Sequence, residues 1–285
     1  MFGLFRNSRC FALCFALMST QAVAQGDADG RVLLGAIDAG DVSTGYILGD
    51  FLLSVQEGAW GAELGMFGVV GRLHETYASA TWQRDGRKVE IGFPQPAYDR
   101  VAVSGLTQIM PRLALESIST TRSRATAGVF TESEFLPYGA VYTQGKTVFS
   151  LHGVPDTDIV VAGIGATSAL QSWQLSFGAE ALREDGDLGW NAKVQAIRAM
   201  DGWDVGAGLY AGDANDSPYV AEVFGRFHAR DHIVATALLR KTQDADVLAG
   251  VGVTYHHDTG IIGDLALVSE GSNDMAIAVS VGFQF

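Results

Sequence analysis

The chain has 285 residues, with 19 Lys and Arg against 32 Asp and Glu, a net charge of −13, and 48% hydrophobic content. So acidic a chain has no basic surface for a phosphate backbone, which excludes nucleic acid as a partner. Its 2 cysteines, Cys10 and Cys14, both lie near the start, so a disulfide framework and a cysteine-held metal centre are excluded as well.

The first element in chain order is an export signal over 1–24. Arg6 and Arg9 give a positive start, Cys10–Met18 is an apolar run, and Ala22-Val23-Ala24 is a small-x-small cleavage site. The residues before each cysteine make no lipoprotein-type site, so no lipid anchor is expected. Cleavage after Ala24 leaves 261 residues, with 17 basic against 32 acidic side chains and a net charge of −15. No later stretch approaches the ~18 apolar residues of a transmembrane helix.

From there the dominant period is two. Trp60, Ala62, Leu64 and Met66 alternate with Gly61, Glu63, Gly65 and Phe67. The same pattern recurs through 173–181, 190–196, 203–210, 221–228 and 233–240. It predicts about sixteen strands, near 31–39, 50–56, 60–70, 76–84, 87–93, 136–144, 147–154, 159–167, 172–183, 187–199, 203–211, 218–229, 232–241, 246–256, 260–268 and 274–285. Segments of about ten residues separated by turn residues fit strands tilted across a bilayer. A soluble sandwich would alternate too. Against it, the polar face carries Gly, Gln, Asn, Lys, Glu and Arg along whole strands. In addition Trp60, Trp82, Trp173, Trp190 and Trp203 all fall at segment ends, as interfacial girdles require.

The connections are of two alternating kinds. One is short: QEGA (56–59), RDGR (84–87), TQGK (143–146), MDGW (200–203), ARDH (229–232) and HDTG (257–260). The other is acidic: PDTD (155–158), REDGD (183–187), GDANDSP (212–218), QDAD (243–246) and SEGSND (269–274). This alternation predicts an all-β fold over 25–285, a transmembrane antiparallel up-and-down barrel with tight turns on one side and loops on the other. An even count puts both termini on the tight-turn side, the periplasm. One connection is far longer. Residues 94–135 show no clean alternation, contain an expected short helix from Leu106 to Ile118 broken by Pro111, and carry Asp99, Arg100, Arg112, Glu116, Arg122 and Arg124. Such a segment either faces lipopolysaccharide outside or folds inward to narrow the lumen.

YASATWQRDGRKVEIGFPQPAYD (77–99) is similar to the fourth strand, tight turn and fifth strand that precede the long third loop of the trimeric general porins of alphaproteobacteria. LPYGAVYTQGKTVFSLHG (136–153) resembles the strand after that loop. The resemblance, one of layout, covers 25–285. It implies a sixteen-stranded outer-membrane barrel, a homotrimer, whose third external loop folds inward and forms a constriction. In the family acidic loop residues face a basic wall, whereas this loop is arginine-rich. The second external loop, which latches neighbouring subunits in the family, is short here (GRLHE, 71–75).

A barrel of this width holds water, so its selectivity rests on charges at the narrowest section. The expected constriction is Asp99, Arg100, Arg112, Glu116, Arg122 and Arg124 facing Lys193, Arg226 and Arg240. Parity places Glu63, Lys88, Glu90, Glu180, Asp204, Glu222 and Asp264 on the lumen wall. The expected function is passive diffusion of small hydrophilic solutes and ions. A plugged structural or binding barrel is the alternative. An enzyme is not expected, because neither Gly-x-Ser-x-Gly nor His-Glu-x-x-His occurs. The clustered carboxylates of the acidic loops suit calcium, but no loop shows an EF-hand pattern, and no cofactor or metal is expected. The final strand, AIAVSVGFQF, places Ile277, Val279, Val281, Phe283 and Phe285 toward lipid. It resembles the C-terminal aromatic signature by which the barrel-assembly machinery recognises such chains, with Phe283 and Phe285 as the signal.

Overall fold

The structure, a computed structural model, describes residues 25–40, 42–70, 74–116, 120–127, 137–184, 186–213, 219–271 and 274–285. The expected export signal, 1–24, lies outside the described residues. Sixteen antiparallel strands form one closed barrel, each bonded to its sequence neighbours and the last to the first. In order they are β1 (Gln25–Ala39), β2 (Val42–Glu57), β3 (Trp60–Val69), β4 (His74–Arg84), β5 (Arg87–Phe93), β6 (Tyr138–Gln144), β7 (Thr147–Gly153) and β8 (Val160–Leu170). The second half comprises β9 (Trp173–Glu184), β10 (Asp187–Met200), β11 (Trp203–Gly212), β12 (Tyr219–Arg230), β13 (Ile233–Thr242), β14 (Val247–His256), β15 (Ile261–Glu270) and β16 (Asp274–Gln284).

Two strands differ from the sequence reading. β1 starts at Gln25 and β2 at Val42, not at 31 and 50. The outward row of β2 opens on Ser43 and Gly45 before it reaches Ile47, and such small residues carry little hydrophobic signal. All six tight turns read from the sequence join consecutive strands, and Gln171-Ser172 makes a seventh between β8 and β9. At RDGR both central residues take positive φ, 51° at Asp85 and 72° at Gly86, which is the primed-turn geometry that matches strand twist.

The two faces of the sheet are inverted relative to a soluble protein. In β16 Val279, Val281 and Phe283 are more than half exposed on the outside, while Ala276, Ala278 and Ser280 are buried inside. A continuous apolar outer surface needs lipid against it. Trp60, Trp173 and Trp203 ring the tight-turn end, and Trp203 packs on Phe227 with centroids 4.6 Å apart. Trp190 stands at the opposite end. The seam between β1 and β16 runs from Arg31↔Gln284 to Asp38↔Ile277. It is sealed to the last residue: the Gly30 N–H donates to the Phe285 carbonyl at 3.1 Å, and the Phe285 N–H returns one at 3.0 Å. Backbone pairing along the seam thus extends to Gly30 and Phe285, as a bilayer demands of a closed barrel.

The long connection follows β5. Its described part contains a 3-10 turn (Tyr98–Arg100) and three short helices, α1 (Gly105–Ile109), α2 (Pro111–Glu116) and α3 (Arg124–Ala127). Pro111 divides α1 from α2, as the sequence reading expects of that proline.

Candidate functional site

This segment lies against inward-facing side chains. α1 touches β12, β13 and β14, α2 touches β3, the 3-10 turn touches β8 and β9, and α3 touches β8. Two kinds of surface receive it. One is apolar. Leu106, Ile109 and Met110 are buried against a patch that includes Leu33, Leu48, Phe67, Phe224, Leu238 and Ile262. That patch spans β12–β16 and β1–β3, so the inner wall there is not the polar surface expected of a water-filled barrel. The wall also makes room by lacking side chains. A Cβ on Gly165 would stand 2.5 Å from the Ala97 carbonyl oxygen, so only glycine lets the 3-10 turn come this close. Gly252 lies beneath Ile109.

The other surface is polar and uses one arrangement twice. Ser104 caps α1, its hydroxyl oxygen accepting from the Leu106 N–H at 3.2 Å. The same hydroxyl donates to Glu222 at 2.5 Å, and the Gly105 N–H donates to the other Glu222 oxygen at 2.8 Å. Ser123 does the same for α3: it accepts from the Ala125 N–H at 3.1 Å and donates to Glu180 at 2.6 Å. The Arg124 N–H completes that pair at 2.9 Å. Each wall glutamate is steadied by its own neighbour, Arg240 Nη1 on Glu222 at 3.0 Å and Asn191 Nδ2 on Glu180 at 2.7 Å. A helix start offers free N–H groups, and a fixed carboxylate is their natural acceptor. These are two clasps of identical chemistry.

Arginines supply the remaining ties. Arg100 grips Glu90 with both terminal nitrogens, at 2.6 and 2.9 Å. Arg122 pairs with Glu75, which also accepts from the Tyr77 hydroxyl, and its guanidinium covers the Phe67 ring at 4.9 Å. Burial alone would lower the Arg122 pKa, but the Asp99 and Glu75 carboxylates outweigh it and hold the group above its usual value. Arg124 reaches Glu184 at 3.1 Å. Asp99 works within the segment, accepting from the Ser123 N–H at 2.8 Å and the Thr126 hydroxyl at 2.9 Å. Lys193 caps the network: its ammonium sits 4.2 Å from the Tyr98 ring centroid and donates to the Thr121 carbonyl at 3.2 Å.

Of the residues expected at a narrow section, Asp99, Arg100, Arg122, Arg124, Lys193 and Arg240 are thus brought together around the segment. Arg112 is buried over the Tyr46 ring at 5.6 Å. The Glu116 side chain lies outside the described residues. Arg226 stands apart and pairs with Asp204 at 3.0 Å. On the wall, Glu63 holds Lys88 at 2.5 Å. Asp264 accepts from the Thr254 hydroxyl at 2.7 Å and the Ser280 hydroxyl at 3.1 Å. Sequence reasoning missed Glu75, Glu184, Asn191 and the two serines. The serines had a signal, since each stands where an N-cap belongs, one residue before a short helix.

Between the segment and the tight-turn end lies a cavity of about 560 Å³. Asp29, Arg31, Asp50, Glu63, Lys88 and Arg100 are among its lining residues. Charges of both signs inside a low-dielectric wall set a field that acts on small ions and polar solutes.

No protein-family model matches the chain, and no curated protein matches it. Solved structures do. A triple mutant of the Rhodopseudomonas blastica porin is 17% identical, with a TM-score of 0.66 over 92% of this chain and 100% of its own. A second variant of that porin has a TM-score of 0.67 at 17% identity over the same shares. A structure described as "Asymmetric conductivity of engineered proteins" has a TM-score of 0.63 at 15% identity, again over 92% and 100%. At such identities the likeness speaks for the fold, and the fold of this chain is that of the sixteen-stranded porins.

Proposed function

We propose that the chain is an outer-membrane porin, a non-enzymatic channel for passive diffusion of small hydrophilic solutes and ions. One observation carries the reading: a closed barrel with an apolar exterior turns charged side chains of ten or more residues onto an inner wall and an inserted segment. Several of these charges clasp the segment, and a water-accessible lumen accommodates the rest on that side. In this reading 1–24 is the export signal, the tight turns face the periplasm, and the loops face lipopolysaccharide. The segment 94–135 forms the constriction with Lys193 and Arg240, while Arg226 lies outside it. The unit is a homotrimer in outer-membrane lipid. Stepwise conductance from folded protein in planar bilayers is the expected result. Its absence from correctly folded protein would overturn the reading. Slower-boiled and unboiled samples should migrate differently on a gel, the unboiled one as a compact trimer; a single monomer band in both rejects the trimer.

The apolar contact of α1 and α2 with the wall favours a second reading, a barrel that the segment keeps closed. The same recording separates the two, because a closed barrel folds normally and gives no steps.

The seam supports a role for the C-terminal aromatics in recognition by the barrel-assembly machinery. Deleting Phe285 removes both hydrogen bonds with Gly30 and the last lipid-facing ring. The amount of folded barrel should fall several-fold, while channels that do form conduct normally. Unchanged barrel levels on an unboiled gel would contradict this.

A further inference from the structure

The inner wall is nearly self-neutralised. Arg31 pairs with Asp50, Lys88 with Glu63, Arg100 with Glu90, Arg122 with Glu75, Arg226 with Asp204 and Arg240 with Glu222. Such pairs present little net charge to a passing ion. Glu180 and Lys193 are buried beneath the segment and hydrogen-bonded to it. Asp264 breaks the pattern. It is part-exposed on the inner face of β15, and among the described residues it forms no ion pair. Its two oxygens are held by neutral hydroxyls, Thr254 on β14 and Ser280 on β16. These bonds orient the carboxylate without cancelling its charge. The cation on the nearby segment, Arg112, is engaged over Tyr46 and buried. On the cavity side Asp29 is likewise an exposed carboxylate, while the cavity's Arg31, Lys88 and Arg100 are all paired.

We propose that Asp264 is the selectivity-determining charge of the lumen and gives the channel a preference for small cations over anions. The proposal rests on the channel reading above. A fixed, uncancelled carboxylate on a low-dielectric wall raises the local cation concentration, whereas paired charges cancel within a few ångströms. The preference is set by a wall residue of β15 and not by the arginine-rich segment, whose composition alone points to anions.

The test is the reversal potential of the folded protein in planar bilayers across a KCl gradient. The wild type should prefer potassium. In Asp264→Asn the potassium-to-chloride permeability ratio should fall by about twofold. Asp264→Ser, which keeps a small polar side chain, should fall likewise, and Asp264→Glu should retain the preference. Asp258→Asn removes the same charge from an exposed tight turn, where the side chain is 84% accessible, and should change nothing. A wild-type preference for chloride overturns the proposal without any variant. Equal reversal potentials in wild type and Asp264→Asn overturn it while leaving the channel intact. Folded protein that gives no steps removes the channel reading and the proposal together.

Discussion

Replacing Glu222 with alanine should release α1 from the wall. The substitution takes the acceptor from the Ser104 hydroxyl and the Gly105 N–H, and it removes the carboxylate from an Arg240 guanidinium that is 4% exposed. Removing one partner of a buried charge pair costs about 3–5 kcal/mol, because the remaining ion keeps its desolvation without its counter-charge. The apolar contacts of Leu106 and Ile109 are non-directional and do not replace the lost fixation. Faster hydrogen exchange over 104–110, together with larger and noisier single-channel currents, is the expected outcome. Glu222→Gln should be milder, since its amide oxygen still accepts one of the two bonds. Exchange and current both equal to wild type in the alanine variant would mean that the serine–glutamate clasp does not hold the segment.

The second large effect belongs to the seam. A Cβ on Gly282 would overlap the Val32 carbonyl oxygen and crowd the Leu33 Cα at 2.8 Å. Both neighbours are backbone atoms of the strand to which β16 is bonded, so neither can rotate away. Gly282→Ala therefore has to open the β1–β16 pairing. Overpacking of this kind costs about 1–3 kcal/mol in a core, and here it also exposes ladder groups to lipid, where each unsatisfied group costs several kcal/mol. The heat-modifiable band should be much reduced or lost. Gly263→Ala on the next strand is the control, since its Cβ would meet only the Ser280 carbonyl oxygen at an ordinary 3.8 Å. Equal folded yields for the two variants would show that the seam tolerates the extra atom.

The barrel was legible because its signal is written in every strand. Val279, Val281 and Phe283 against Ala278, Ser280 and Gly282 state the face of β16 without help from any neighbour, and parity then carries Glu63, Lys193 and Asp264 inward. Where the outward row opens on Ser43 and Gly45, as in β2, the signal fades and the strand start was missed by eight residues, Val42 against Asp50. The segment was legible only as an exception. Its length and its arginines were visible, and the break at Pro111 followed from the missing N–H of proline. Its docking was not, because the partners lie far off in the chain: Ser104 and Glu222 are 118 residues apart, and Arg122 and Glu75 are 47 apart. Nothing local in Glu222 distinguishes a clasp from a solvated wall charge. The glycines that admit the segment read from sequence as ordinary strand glycines, since a close approach is a property of two surfaces.

The apolar patch on the inner wall bears on how this barrel could be engineered. Widening a channel by excising an inserted loop treats the wall behind it as ready for water. Here the wall behind α1 and α2 carries Leu33, Leu48, Phe224, Leu238 and Ile262, every one of them nearly inaccessible. Stripped of the segment, that surface would be wetted at roughly 25 cal/mol for each Å² exposed. The excised protein would trade an obstruction for a greasy lining. A wider aqueous bore in this chain requires repainting those wall positions with polar side chains at the same time as the segment is shortened.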